Sequence, residues 1–406
     1  MNHATAAHGS ADALRARVGP LPAPIGLKAM FGILMAIGAA AFLVEVRSDP
    51  TRAYAAFLLG YFYTLGLALF GTLFTAIHYL VGATWSVVVR RVAESFTSYL
   101  PVAFLLFFVL LLGVPHLYVW SNPGVPAHGV DAEHLTKGGW LTPSAFAIRG
   151  IVVLTIWSLF GWFFVRNSTR QDHTRDPRLT ASSHRAAAIF VPIFAITITV
   201  ISFDFLMSLE PLWFSTMFGV YCFAGLWQAG LATLAIAVVL LRRQGALQGI
   251  VGKIHLQDLG KYMFAFSIFW MYIGFSQFML IWYANLPEEI EWFIPRTYTA
   301  WGGIAIALMV LKFGIPFFAL MHQKAKESDA VLLTIAGCIL VGQWIDLYWI
   351  ILPAFSPERV VLGWPELGVS LGFLGLFGWT VLGFLARHPV AAHGDPFFES
   401  SVRFHG

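Results

Sequence analysis

Ser202-Phe203-Asp204-Phe205-Leu206-Met207-Ser208-Leu209-Glu210-Pro211 closes a long apolar run that begins near Ala186. Asp204 therefore sits where a carboxylate is costly, inside or just below the edge of a bilayer. The stretch has an echo. Trp344-Ile345-Asp346-Leu347-Tyr348-Trp349-Ile350-Ile351-Leu352-Pro353 again places an Asp in an apolar run, with a proline seven residues later. Two intramembrane carboxylates in matching frames predict a duplicated helix bundle with chemistry inside it.

Composition agrees. The 406 residues are 58% hydrophobic and only 11% charged, where a soluble domain carries about 25% charged residues. That deficit implies an all-α polytopic membrane protein. Fifteen tryptophans suit interfacial belts and flat pockets. The two cysteines, Cys222 and Cys338, are far apart, and no CxxC or CxxCH is present. Iron–sulfur clusters and covalently bound haem held by this chain alone are thereby excluded as expectations. The net charge of +4 is too small for a nucleic-acid surface. No apolar h-region precedes Ile25, so insertion is expected through the first span itself.

Apolar runs of about 20 residues each mark a span. Ten are read, over 25–45, 53–82, 98–120, 145–166, 186–208, 213–241, 259–285, 299–322, 330–353 and 365–386. With the N-terminus inside, 18 Lys and Arg fall on the inner side and 6 on the outer, with Lys312 inside a span. This bias predicts both termini in the cytoplasm. The expected organisation is an inner segment 1–24, a transmembrane domain 25–386 and an inner tail 387–406. Within the domain, 52–211 forms a first four-helix bundle and 212–353 a second, with spans 1 and 10 flanking them.

The repeat is carried by spacing. Gly60, Gly66 and Gly71 of span 2 match Gly219, Gly225 and Gly230 of span 6. Gly150 and Gly161 of span 4 match Gly303 and Gly314 of span 8, and Asp204/Pro211 match Asp346/Pro353. Glycines so placed let helices approach closely in lipid. Spans 2 and 6 run the same way, so the repeat is parallel.

Asp204 and Asp346 lie in the outer halves of their spans, with His116 and Glu45 at outer ends nearby. Such groups could bind a quinol hydroxyl and take its proton. His78 lies near the inner end of span 2, Lys312 is mid-span, and His322 is at the inner end of span 8. Together they sketch a proton path through the bundles. The competing reading is a set of structural hydrogen bonds, with Glu45, Glu210 and Glu288/Glu289/Glu291 simply solvated at the interface. Two inner histidines, His78 and His322, could in principle ligate a b-type haem, but bundles of that kind place several histidines well inside their spans. The aromatic and acidic outer edges, His116–Pro123 and Trp282–Trp292, have the character of docking surfaces for other subunits.

The stretches PTRAYAAFLLGYFYTLGLALFGTLFTAIHYL (50–80), SFDFLMSLEPLWFSTMFGVYCFAG (202–225) and YMFAFSIFWMYIGFSQFMLIWYANLPEE (262–289) resemble the ActF subunits of bacterial alternative complex III. These belong to the NrfD/polysulfide-reductase-like membrane superfamily. The resemblance implies an inner-membrane subunit of a quinol-oxidising respiratory complex, with menaquinone or ubiquinone as the redox lipid. It implies an NrfD-like ActC neighbour, periplasmic iron–sulfur and c-haem subunits, and small membrane subunits as partners. Quinol handling or proton conduction is the implied role, with a scaffold lacking its own quinol site as the alternative. Buried carboxylates in repeated bundles also fit a secondary transporter, which would favour spans broken at the midplane. Pro192 and Pro316 do interrupt spans, but toward their inner ends.

Overall fold

The computed structural model describes residues 15–16, 18–22, 24–122 and 135–404. Most of the expected inner segment 1–24, and Pro123 of the first outer edge, lie outside the described residues. Among those residues, ten helices are long and apolar enough to cross a membrane. They are α1 Ile25–Ser48, α2 Pro50–Leu80, α3 Val87–Leu117, α4 Pro143–Thr174, α5 Pro177–Leu209, α6 Phe218–Arg243, α7 Lys253–Ala284, α8 Trp301–Ala319, α9 Asp329–Ala354 and α10 Trp364–Leu385. The chain is an all-α, multi-pass membrane protein.

Starts are written in local chemistry. Proline opens α2, α4 and α5, where the missing N–H costs nothing. Asp49, Thr142 and Asp176 cap those starts by accepting from the backbone N–H of Arg52, Ala145 and Arg178.

Two spans are interrupted. α3 begins at Val87, eleven residues before the expected 98, and breaks between Thr97 and Leu100. Pro101 has no N–H for the carbonyl of Thr97, and its ring crowds it. In α8, Met309–Gly314 winds as a π-helix just ahead of Pro316.

The two helices that the repeat equates, α2 and α6, are also the two central ones. The most apolar stretch of α2 is 100% buried and that of α6 is 78% buried, against 17–44% for the other spans. α2 packs on α3, α4 and α5, while α6 packs on α7 and α9, and α8 packs on α9. α2 and α5 both meet α6 across the seam between bundles.

Helices α1 and α10 do not divide between the bundles. Their main packing is on each other and on α2. The crossing depends on glycine: a Cβ on Gly38 would lie 2.3 Å from the Cα of Gly372. No residue but glycine permits that approach.

Candidate functional site

Asp346 stands at the centre of the second bundle and is 1% exposed. Each neighbour comes from a different helix. Lys312 of α8 places Nζ 2.6 Å from Oδ2, and the Trp270 indole of α7 donates to the same oxygen at 3.0 Å. The Tyr221 hydroxyl of α6 donates to Oδ1. Lys312 Nζ also donates to Gln343 Oε1 at 2.6 Å and lies 4.1 Å from the centre of the Trp270 ring. Its three N–H groups therefore have an ion pair, a hydrogen bond and an aromatic face. A charge this deep persists only when paired in this way.

Backbone details make the room. A Cβ on Gly342 would lie 2.6 Å from Lys312 Cγ, so this glycine of α9 admits the lysine stem. Pro316, four residues after Lys312, has no N–H to give the Lys312 carbonyl. Gln228 of α6 supplies the missing donor, with Nε2 2.7 Å from that carbonyl. The same Nε2 lies 2.8 Å from Ser267 Oγ. Single π turns of this kind occur often at functional sites.

Beside this cluster lies an apolar cavity of about 310 Å³. Tyr221, Trp270, Phe278, Leu308, Trp292 and Trp349 are among its walls. Tyr221 and Trp270 thus face the cavity and hold Asp346 at once. A ring-bearing apolar molecule seated there would be separated from the carboxylate by the width of those side chains.

Asp204, the repeat partner, is held differently. It is fully buried, but its cation, Arg149, is partly exposed. Arg149 grips it with Nε–Oδ2 at 2.6 Å and Nη2–Oδ1 at 2.9 Å. Trp140 donates to Oδ1 at 3.2 Å, and the guanidinium lies over the Trp140 ring at 4.2 Å. Ser208 Oγ donates to the Asp204 carbonyl. A planar, bidentate pair of this kind fixes the geometry of both partners.

The remaining sequence candidates separate. His78 is buried in a cage of Phe74, Trp85 and Tyr262, with Nδ1 2.7 Å from the Phe74 carbonyl, and no carboxylate bonds to it. His116 is exposed and stacks on Tyr54, and His322 is exposed where the short inner helix Gln323–Lys326 begins. Depth along a span said nothing about which face the ring would take. Of these candidates, only Asp346 and Lys312 are bonded to each other.

Two acids expected at the solvated interface are paired instead. Glu45 is 8% exposed and lies 3.9 Å from Arg52, which binds Glu366 of α10 at 2.7 and 3.0 Å. Glu210 pairs with Arg296 at 2.7 Å. Arg296 is fully buried, donates to the carbonyls of Trp292 and Ile350, and stacks on Trp292 at 3.8 Å. Burial pulls its guanidinium below its ordinary value, with Glu210 opposing. Trp292 itself is packed inside, so only part of the second outer edge is available to a partner.

A larger network escaped sequence reading. Arg90 and Arg91, counted as inner loop charges, are buried at the inner end of the first bundle. Both bind Glu94, at 3.2 and 2.7 Å. Arg90 also takes Asp395 at 2.7 Å, and Arg91 takes Asp172 at 2.7 Å. Asp395 belongs to the tail, which docks here rather than standing apart: Gly394 N–H donates to Asp172, and Ser401 accepts from Val88 N–H. The i,i+3 and i,i+4 spacing of Arg90, Arg91 and Glu94 was the available signal.

Among the described residues, no three His, Cys, Asp or Glu side chains are grouped as a metal site. No family model matches the chain, and no curated protein matches it.

Proposed function

We propose that the chain is a membrane subunit of a quinol-oxidising respiratory complex of the alternative complex III type, and that its second bundle handles protons. The observation that carries this reading is the buried Tyr221–Asp346–Lys312 cluster against an aromatic, apolar cavity. Quinol oxidation needs an acceptor for the hydroxyl proton, in a place that also accepts an apolar ring. Asp346 would be that acceptor. Lys312 would hold the carboxylate ionised until the proton arrives, and Tyr221, already bonded to it, would be the relay from the cavity.

In this reading the chain lies in the bacterial inner membrane with both termini cytoplasmic, in keeping with the Lys/Arg bias. Its partners are an NrfD-like ActC neighbour, iron–sulfur and c-haem subunits on the outer side, and small membrane subunits. Trp282, Tyr283 and Tyr298 stand exposed at the outer end of the second bundle and offer those subunits an aromatic edge.

Purification in mild detergent tests the reading. Co-purifying c-haem and iron–sulfur proteins, with quinol-driven reduction of the haem that slows in Asp346→Asn, are expected. A chain that purifies alone and stable, and transports a solute, would replace this reading with a transporter. Intact assembly with quinol oxidation and proton release unaffected by Asp346→Asn would leave a scaffold subunit.

A further inference from the structure

Gln228 carries an unmet demand in the middle of the second bundle. Its Nε2 has both hydrogens committed, one to the Lys312 carbonyl at 2.7 Å and one to Ser267 Oγ at 2.8 Å. Ser267 Oγ sends its own hydrogen to the Met263 carbonyl, so it can only accept from Gln228. Both contacts require a donor, which fixes the amide orientation. Gln228 Oε1 is then a buried acceptor with no hydrogen-bond partner. Such an oxygen costs roughly 1–3 kcal/mol if it stays unmet.

One donor belongs to the same residue whose carbonyl Gln228 holds. Lys312 Nζ is on a flexible four-carbon stem that packs directly on Gly342, with Cγ 2.6 Å from where a Cβ would stand, so no side chain at 342 fixes it from that side. It now reaches toward Asp346, at the level of Tyr221 on α6. Gln228 lies seven residues further along α6, which is about 10 Å further inward at 1.5 Å per residue.

We propose that Gln228 Oε1 is a second, inward station for the Lys312 ammonium, occupied when Asp346 gains a proton and ceases to be an anion. The proposal rests on the reading of Asp346 as proton acceptor. Atoms and charges balance at each step. Tyr221 passes its hydroxyl proton to the Asp346 carboxylate and is reprotonated by the quinol hydroxyl, whose electrons leave to the redox groups of the partner subunits; the carboxyl becomes neutral, and the ammonium, unchanged in composition, turns to the free amide oxygen. Release of that proton from Asp346 to bulk water restores the anion and draws the ammonium back. Gln228 is a positioning residue in this scheme. Pro316 and the π turn are what expose the Lys312 carbonyl that anchors the amide.

The test is an electron-microscopy map of the membrane assembly carrying Asp346→Asn, beside one carrying Asp346→Asn with Gln228→Met. In the first, Nζ is expected within hydrogen-bond distance of Gln228 Oε1. In the second, it is expected to stay with Gln343. Gln228→Glu in the otherwise unmodified chain asks the same question from the other side: the new carboxylate should draw Nζ away from Asp346. Gln228→Met alone should slow proton release by about tenfold, near 1.4 kcal/mol of barrier, with the KM for quinol unchanged. A residue that only packs would not separate those two readouts. Nζ remaining on Gln343 and residue 346 in both Asp346→Asn and Gln228→Glu overturns the second station. If instead Nζ turns but Asp346→Asn releases protons normally, the station stands and the reading of Asp346 falls.

Discussion

Asp204 and Asp346 occupy the same frame in two bundles, yet they have opposite surroundings. Asp204 is clamped by a partly exposed guanidinium, with 18% of the Arg149 side chain exposed. Asp346 is paired with an ammonium that is fully enclosed. The contrast extends to whole bundles. In the first, Arg90, Arg91, Glu94, Asp172 and Asp395 bond one another. Among the described residues, the second bundle holds five buried polar atoms without a hydrogen-bond partner, Trp227 Nε1, Gln228 Oε1, Gln277 Nε2, Tyr348 OH and Trp349 Nε1, against Ser158 Oγ in the first. A satisfied network makes a bundle rigid, and of the unmet atoms in the second bundle those of Gln277 and Trp349 belong to residues that line the cavity. The two acids share a sequence frame, while the cation that holds each and its enclosure differ.

The largest effect that could break this comparison belongs to the first bundle. Arg91→Ala leaves Glu94 and Asp172 without their shared cation, and should cost about 3–5 kcal/mol. Thermal melting of the solubilised protein should show it as a large drop or a failure to accumulate; an unchanged melting point would mean the network is not the fastening described. Next comes a swap in the second bundle. Lys312→Met with Asp346→Leu replaces a buried pair by apolar groups, a swap often close to neutral by itself, and leaves Tyr221, Trp270 and Gln343 without these partners, at about 1–3 kcal/mol each. The fold should survive while proton transfer is lost. Retention of proton transfer by this double variant would remove the pair from the mechanism.

The smallest effect concerns pH. The His393 ring, beside Asp172 at 3.5 Å, is pushed below its ordinary 6.5 by burial, with Asp172 opposing. Arg91 and Arg175 push it the same way as burial. A depressed value means the folded chain binds this proton less readily than the unfolded one. The contribution is then present above 6.5 and lost as pH falls through the folded value. Tail release should consequently begin on the acid side of neutrality, read as faster proteolysis after residue 388, and His393→Gln should flatten the dependence.

Much of this was legible in the sequence, for definable reasons. A lone Asp or Lys in a 20-residue apolar run can be seen from composition alone, which is why Asp204, Asp346 and Lys312 were found. Their partners come from other helices, so Tyr221, Trp270 and Gln343 carried no local signal. The Lys312-to-Pro316 spacing was visible, but Pro316 reads as a simple interruption until the freed carbonyl is located. Arg90 and Arg91 were misplaced because a charged pair lowers hydropathy whether it meets water or buried acids. His116 and His322 were placed by depth, and depth does not specify a helix face. Glycine spacing records helix contact at Gly230, where a Cβ would meet Phe70 of α2 at 2.0 Å, but not at Gly303, where it would meet nothing within 4 Å.

The central claim is that the second-bundle carboxylate handles protons and the first-bundle one fastens helices. Proton release per quinol oxidised, measured in vesicles for Asp346→Asn and Asp204→Asn side by side, tests it most directly. Asp346→Asn is predicted to assemble and to lose most of its proton release. Asp204→Asn is predicted to melt earlier, yet to release protons normally once assembled. Equal behaviour of the two variants, or loss of release in Asp204→Asn alone, would contradict the account.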